Sequence, residues 1–261
     1  MSVEEYQVAQ LYSVAEASKN ETGGGEGVEV LKNEPFDNVP LFNGKFTKGQ
    51  YTRKIYHLNS RLPTLVKTIL EGRSSEIVEE AWNAYPYCKT VLSNPGGMED
   101  YFYIIIETLH LPDDDGRQDN VHELDPKKKE KRTLDKIDIA NDAVTPNDYK
   151  EDEDPTTYQS EKTGRGPLTG PWQKDANPKM TAYILVSVLF KWFGLQTRCE
   201  RIIMNTLRRL FLKFYRQVFC STDKWYGMTM EDIRELEDKT KHDLDEERSE
   251  GEIRGTMIVE D

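Results

Sequence analysis

In "GQYTRKIYHL" (49–58), strand alternation places Thr52, Lys54, Tyr56 and Leu58 on one face and Arg53, Ile55 and His57 on the other. A hydroxyl and an ammonium group side by side can hold an anion or a ring of hydroxyls if that face lines an enclosed space; on an outer face the lysine is simply solvated. In "EEAWNAYPYCKT", Glu79, Ala81 and Asn83 share a face. A carboxylate and an amide there can accept from and donate to a polyol, or form a solvent-facing polar edge. Pro86 is expected to break the alternation, with Thr90 rejoining that face beyond a bulge. Glu237 sits four residues after Ile233 and three before Thr240, close to an apolar helical stripe of Ile233, Leu236 and Leu244. A carboxylate there either reaches water or needs a donor such as a hydroxyl or Lys54.

The same inventory gives little support to catalysis. Cys88 and His57 form the one nucleophile–base combination worth weighing, yet no acid or elbow motif orients them. His57, His110, His122 and His242 show no metal-ligand spacing with the cysteines. "KTGRGPLTGP" is glycine-rich but lacks the lysine–serine/threonine end of a phosphate loop. The chain is therefore read as a non-enzyme, without cofactor or metal.

The elements that would position these residues are strands followed by long helices. An amphipathic helix is predicted over 3–18, with Val8, Leu11, Tyr12 and Ala15 on its face, ended by "NETGGGEG". Strands are predicted at 27–31 and 51–58, a short helix at "PTLVKTIL" (63–70), and strands with turns from 76 to 109, with "NPGGMED" (94–100) as one turn. "PDDDGRQDN" and "PKKKEKR" read as a polar connection, and "LDKIDIA" (134–140) as a further strand. Residues 150–175 form a long proline- and glycine-bearing loop. "TAYILVSVLFKWF" (181–193) reads as a long strand covered on both faces. A long helix follows over about 197–220, striped by Cys199, Ile203, Leu207, Leu210, Phe214 and Val218. A last helix is capped by Thr229 and Asp232 and runs to about 248, with a flexible tail over 249–261. The expected class is α+β, roughly seven strands in hairpin-like succession forming an antiparallel sheet in one domain over 1–261, with a long helix able to close a cavity against it.

The chain of 261 residues carries a net charge of −12. An acidic balance is wrong for neutralising nucleic-acid phosphates or for drawing the whole molecule to an anionic membrane, so any membrane contact is local. Three cysteines, an odd number, fit a reducing cytosol better than a disulfide framework, and the "NET" sequon at Asn20 would go unused there. No signal-peptide pattern opens the sequence, and "AYILVSVLF" (182–190) is too short to span a bilayer. Trp192 and Phe193 adjoin Gly194 at the end of the long strand; either one packs and one caps a helix, or both protrude as a membrane anchor.

"EYQVAQLYSVAEASKNETGGGEGVEVL", "GQYTRKIYHL", "AWNAYPYC", "SEKTGRGPL", "FKWFGLQ", "RRLF" and "DKWYGMTMEDIRELE" together resemble the class I phosphatidylinositol transfer proteins, in family order over nearly the whole chain. The resemblance implies a START-like helix-grip fold: an eight-stranded antiparallel sheet around a lipid cavity closed by helices. It implies a cytoplasmic monomer that carries one phosphatidylinositol or phosphatidylcholine molecule, docks transiently on membranes, serves phosphoinositide signalling and the lipid kinases, and catalyses nothing.

Carried over by residue, the inositol site would comprise Thr52, Lys54, Asn83 and Glu237, with Glu79 nearby. Phosphate or headgroup contacts would fall on Gln10, Thr90 and Thr108. Phe214 and Cys88 would line the cavity, Trp192 and Phe193 would dock on the membrane, and Ser160 in the long loop matches a kinase-targeted serine. The sequence departs from the family in three places. A strand expected ahead of "EYQV" is missing. Ile184 in "AYILV" stands where a phosphate-contacting lysine is expected. A Trp–Trp pair is replaced by Trp192–Phe193. A transfer-deficient lipid sensor or a regulator of phosphoinositide kinases is the competing expectation.

Overall fold

The structure is a computed structural model that describes residues 1–58, 76–95, 100–112, 116–250 and 252. The helix expected at 63–70, part of the turn expected at 94–100 and nearly all of the tail expected at 249–261 lie outside the described residues.

Five α-helices and six strands follow one another along the described chain: α1 (Val3–Asn20), β1 (Gly27–Phe36), β2 (Gly49–His57), β3 (Glu76–Ala84), β4 (Tyr87–Ser93), β5 (Phe102–Pro112), α2 (Pro126–Lys131), β6 (Met180–Phe190), α3 (Gln196–Cys220), α4 (Thr222–Trp225) and α5 (Met230–Glu250). The strands form one sheet in the order β1-β2-β3-β4-β5-β6, and the first four pairings are antiparallel. The class is α+β, with six strands among the described residues in place of roughly seven. The chain folds as two compact units, one of residues 1–14, 110–183 and 207–234, the other of 15–109, 184–206 and 235–261.

The first unit holds a helical core. Tyr6, Ala9, Leu207, Leu212, Val218, Trp225 and Ile233 are buried, and Ala140, Leu168 and Phe219 form a cluster beneath Tyr158 and Trp172. On α3, Leu210 of the expected stripe is exposed and Leu212 is buried in its stead. The most buried line of α1 runs through Tyr6, Ala9 and Ser13, and Val8, Leu11 and Tyr12 are half-buried. Only Glu4 and Asn20 of that helix are exposed, so no single stripe defines its inner face. Thr229 and Asp232 form the expected reciprocal cap. The Asp232 amide donates to Thr229 Oγ1 at 3.2 Å, and the Thr229 amide donates to the Asp232 carboxylate at 2.7 Å.

The strand expected at 134–140 does not form. The Asp138 carboxylate accepts from the amides of Ala140 and Asn141, from the Asn141 side chain and from Trp172 Nε1, so the local backbone bonds to a side chain rather than to a ladder. Burial by itself would raise the Asp138 pKa; the bonds from Asn141, Trp172 and Ala140 outweigh it and hold the carboxyl at about 2. Arginines of α3 pin this stretch and the segment after it: Arg208 to Asp135 and Asp142, Arg209 to Asp148, and Arg216 to Asp154.

The second unit is built on the sheet. Val28, Leu41, Val78, Ala84, Tyr87, Ile104 and Leu109 are buried, and Phe42 and Phe46 each stack on Tyr87 at 5.3 Å between ring centroids. The β3–β4 connection is a two-residue turn at Tyr85-Pro86 between paired Ala84 and Tyr87, not a bulge. A real bulge lies in β1, where the register shifts between Val30 and Lys32. β6 is the terminal strand of the sheet order, and Ser187 on it is exposed, so it is not covered on both faces throughout. At its end, Phe190 packs with Cys199, Phe102, Trp192, Leu195 and Ile203.

Candidate functional site

Directly paired residues in an antiparallel ladder point to the same face, and the register therefore fixes which side chains converge. Gln50 lies opposite Asn83, Asn83 opposite Cys88, and Cys88 opposite Thr108. The next row on that face runs Asn33–Thr52–Ala81–Thr90–Ile106, and the one beyond it Val30–Lys54–Glu79–Leu92–Ile104. Thr52, Lys54, Glu79, Asn83, Cys88, Thr90 and Thr108 thus share one face. Thr90 reaches it because the short turn preserves the alternation. The face is graded: polar groups concentrate on β2 and β3, and Leu92, Ile104 and Ile106 make β4 and β5 more apolar. Ile184, Val186 and Val188 alternate in step with Phe190, which packs against Phe102, so Ile184 joins the apolar side.

Lys54 is largely buried. Its ammonium lies 3.5 Å from Glu79, and the two side chains keep only 11% and 14% of their accessible surface. The Tyr56 hydroxyl donates to the other oxygen of Glu79 at 2.7 Å. Burial, then the Glu79 charge and that bond, push the Tyr56 phenol well above its usual range, so it remains a donor at neutral pH. The Cys88 thiol donates to the Asn83 side-chain oxygen at 3.3 Å. The Glu237 carboxylate is brought to the face by α5: Asn33 Nδ2 donates to it at 3.0 Å, and Gln50 Nε2 donates to Asn33 Oδ1 at 2.7 Å. Asn33 escaped the sequence reading, because the β1 bulge that aims it at this face has no mark in "GVEVLKNEP"; Gln50 was also missed, although it stands two residues before Thr52 and alternation along β2 puts it on the same face.

The His57–Cys88 combination is ruled out by geometry. His57 turns to the opposite face, where its ring contacts Glu29 at 2.9 Å and Glu76 at 3.4 Å. Gln10 on α1 and Phe214 on α3, whose ring meets Tyr215 edge-on at 5.8 Å, belong to the first unit and are not part of this strand ladder. Phe193 is fully exposed at 103% and Trp192 is half-buried against Phe190 and Cys199, so the pair divides into one protruding and one packing ring.

Ser160, in the first unit, is buried at 1% exposure. Its hydroxyl donates to Asp223 Oδ1 at 2.6 Å, and the same carboxylate accepts from the Glu161 and Lys162 amides, both at 2.9 Å, and from the Tyr158 hydroxyl at 3.1 Å. The Ser160 and Lys162 bonds lead in holding the Asp223 carboxyl at about 2. Arg165 closes the same loop through a two-point contact with Glu5 at 2.9 and 3.0 Å. Among the described residues, no helix is long and apolar enough to cross a membrane.

The ladder thus presents one face, polar on β2 and β3 and more apolar on β4 and β5, with a carboxylate from α5 hydrogen-bonded over its polar part. The chain matches the family described as "Phosphatidylinositol transfer protein" over residues 1–242 and belongs to it. It is 54% identical over 265 residues to the phosphatidylinositol transfer protein beta isoform of Rattus norvegicus, covering 99% of this chain and 95% of that one. The Homo sapiens beta isoform is 53% identical with the same coverage. Phosphatidylinositol transfer protein 1 of Dictyostelium discoideum is 48% identical over 246 residues, covering 94% and 90%.

Proposed function

We propose that this protein binds one phosphatidylinositol or phosphatidylcholine molecule and exchanges it between membranes, supplying phosphatidylinositol for phosphoinositide signalling and catalysing no reaction. The observation that carries the reading is the graded face: Thr52, Lys54, Glu79 and Asn83, with Glu237 tied to Asn33, beside an apolar wall of Leu92, Ile104 and Ile106. Exposing an acyl chain to water costs ~0.8 kcal/mol per methylene, so a carrier must give two chains an apolar wall. A polyol headgroup inside such a wall must find hydrogen-bonding partners. The finer fold that goes with this is a START-like helix grip with a lipid cavity. Thr90 and Thr108 take the phosphate, and Cys88 lies along the cargo.

Docking is assigned to Phe193, with Trp192 as its packed base. Lys191, two residues before it, and Arg198 and Arg201, in the first turns of α3, are exposed and make no ion pair among the described residues, whereas Arg208, Arg209 and Arg216 further along α3 are all paired. Docking is transient and the carrier is a cytoplasmic monomer.

The test is transfer of labelled phosphatidylinositol and phosphatidylcholine from donor to acceptor liposomes by the full chain. Saturable exchange of both lipids is expected, and no extraction of either rejects the function. Ile184 on the apolar side favours one second reading, a lipid sensor or regulator of lipid kinases that binds without exchange. Selective binding with no intermembrane transfer in the same assay would establish it.

A further inference from the structure

We infer that Asn33 and Gln50 are positioning residues that orient the Glu237 carboxylate over the Thr52–Lys54–Asn83 face and thereby set the preference for an inositol over a choline headgroup. The inference rests on the headgroup reading given above and adds two residues to it.

The β1 bulge is the first ground. Val28 and Val30 lie opposite Tyr56 and Lys54, and simple alternation would next place Lys32 on this face. The register shift between Val30 and Lys32 instead sets Asn33 opposite Thr52. Lys32 turns away, half-exposed, to meet Glu34 at 3.5 Å. A bulge costs ladder pairing, and here it exchanges a long cation for a short amide beside the headgroup-facing residues.

The second ground is the direction of the hydrogen bonds. Gln50 Nε2 donates to Asn33 Oδ1 at 2.7 Å, and this leaves Asn33 Nδ2 pointed at Glu237 Oε2, 3.0 Å away. An amide that accepts at one end and donates at the other polarises along the chain, strengthening the bond to the carboxylate. Gln50 is also the direct cross-strand partner of Asn83, so the relay is anchored to another headgroup-facing residue. A carboxylate fixed in this way accepts from ring hydroxyls, which demand direction. A choline offers no O–H or N–H donor, and its attraction to a carboxylate is Coulombic and tolerant of angle. Loss of positioning therefore weakens inositol binding and leaves choline binding nearly intact.

The experiment compares phosphatidylinositol and phosphatidylcholine transfer by full-length Asn33→Ala, Gln50→Ala, Glu237→Ala and Asn33→Ala/Glu237→Ala. Asn33→Ala is expected to lower the phosphatidylinositol-to-phosphatidylcholine transfer ratio by roughly tenfold, about the effect of one charge-assisted hydrogen bond. Gln50→Ala should lower it less, and adding Asn33→Ala to Glu237→Ala should not lower it further. A ratio unchanged in Asn33→Ala while Glu237→Ala shifts it overturns the positioning role and leaves the headgroup site standing. A ratio unchanged in Glu237→Ala overturns the headgroup assignment itself. Equal loss of both transfers assigns Asn33 a structural role and also overturns the inference. Should Asn33→Ala not fold, the ratio in Gln50→Ala decides, since that variant retains the Asn33–Glu237 bond; an unchanged ratio there is equally fatal.

Discussion

The Lys54 ammonium and the Glu79 carboxylate face each other across β2 and β3 at 3.5 Å, both largely withdrawn from water. Neither charge is left uncompensated, and Tyr56 supplies a further donor to the carboxylate. On the proposed headgroup reading, a polyol would exchange one set of polar partners for another and would not have to neutralise a bare buried charge. Thr52→Ala and Lys54→Ala are expected to lower phosphatidylinositol transfer by roughly tenfold or more, and phosphatidylcholine transfer much less. Equal losses for the two lipids in the liposome assay would remove Thr52 and Lys54 from the headgroup site.

Alternation made most of the sheet legible. "GQYTRKIYHL" and "EEAWNAYPYC" show the period-two pattern over enough residues to fix their faces, and Lys54, Glu79 and Asn83 fall where the pattern puts them. Thr90 arrives on the expected face for a different reason: a two-residue turn keeps β3 and β4 in phase, where a bulge had been expected. The bulge sits in β1 instead, where one extra residue changes every later facing assignment without any compositional signal. "LDKIDIA" has the apolar Ile137 and Ile139 around Asp138 that suggest a strand, but Asp138 captures the amides of Ala140 and Asn141. The short helix α2 was legible in principle, since Asp125 caps it and Pro126 starts it, yet its run of lysines reads as solvated loop.

The cap of the last helix gives a test of stability. Thr229 Oγ1 receives the Asp232 amide, and the Asp232 carboxylate receives the Thr229 amide and hydroxyl. Thr229→Ala removes two of these bonds and should cost about 1 kcal/mol in urea unfolding. No loss of stability would show that the first turn of α5 is held by other contacts.

The Asp223 clasp predicts a pH dependence with a definite sign. Its carboxyl is lowered from 3.8 to about 2, chiefly by the Ser160 hydroxyl and the Lys162 amide. A depressed acid adds stability in full above its unfolded pKa and loses it as pH falls through the folded value. The stability gap between the native chain and Asp223→Asn should thus be constant from pH 7 to about 5 and close between pH 4 and 2. A gap that stays constant down to pH 2 would show that the charge of Asp223 contributes nothing to the clasp.

The same clasp bears on modification of Ser160. A buried hydroxyl that already donates to Asp223 is a poor phosphoryl acceptor until the loop opens. Asp223→Asn weakens the clasp, and it should speed phosphate incorporation at Ser160 by a serine/threonine kinase acting on basic motifs. The sensitivity of residues 158–165 to proteolysis should rise in parallel. Faster proteolysis without faster phosphorylation would separate opening of the loop from recognition of the serine.

Phe193 and Trp192 are adjacent yet make opposite predictions. Phe193 is fully exposed, so Phe193→Ala should leave thermal stability within about 0.5 kcal/mol of the native chain and still reduce association with vesicles. Trp192 packs with Phe190 and Cys199, so Trp192→Ala should cost roughly 2 kcal/mol, less than for a fully buried aromatic. Lys191, Arg198 and Arg201, close to Phe193 in sequence and exposed, have no carboxylate partner among the described residues, and each is worth about 1 kcal/mol near an anionic surface. Arg198→Glu/Arg201→Glu should therefore weaken sedimentation with phosphatidylserine-containing vesicles at 0.1 M salt, and the difference from the native chain should shrink at 1 M as the charges are screened. Binding to neutral phosphatidylcholine vesicles should depend on Phe193 alone. If the arginine variant binds both vesicle types like the native chain, the flanking charges play no part in docking; if Phe193→Ala also does so, the membrane meets the protein elsewhere.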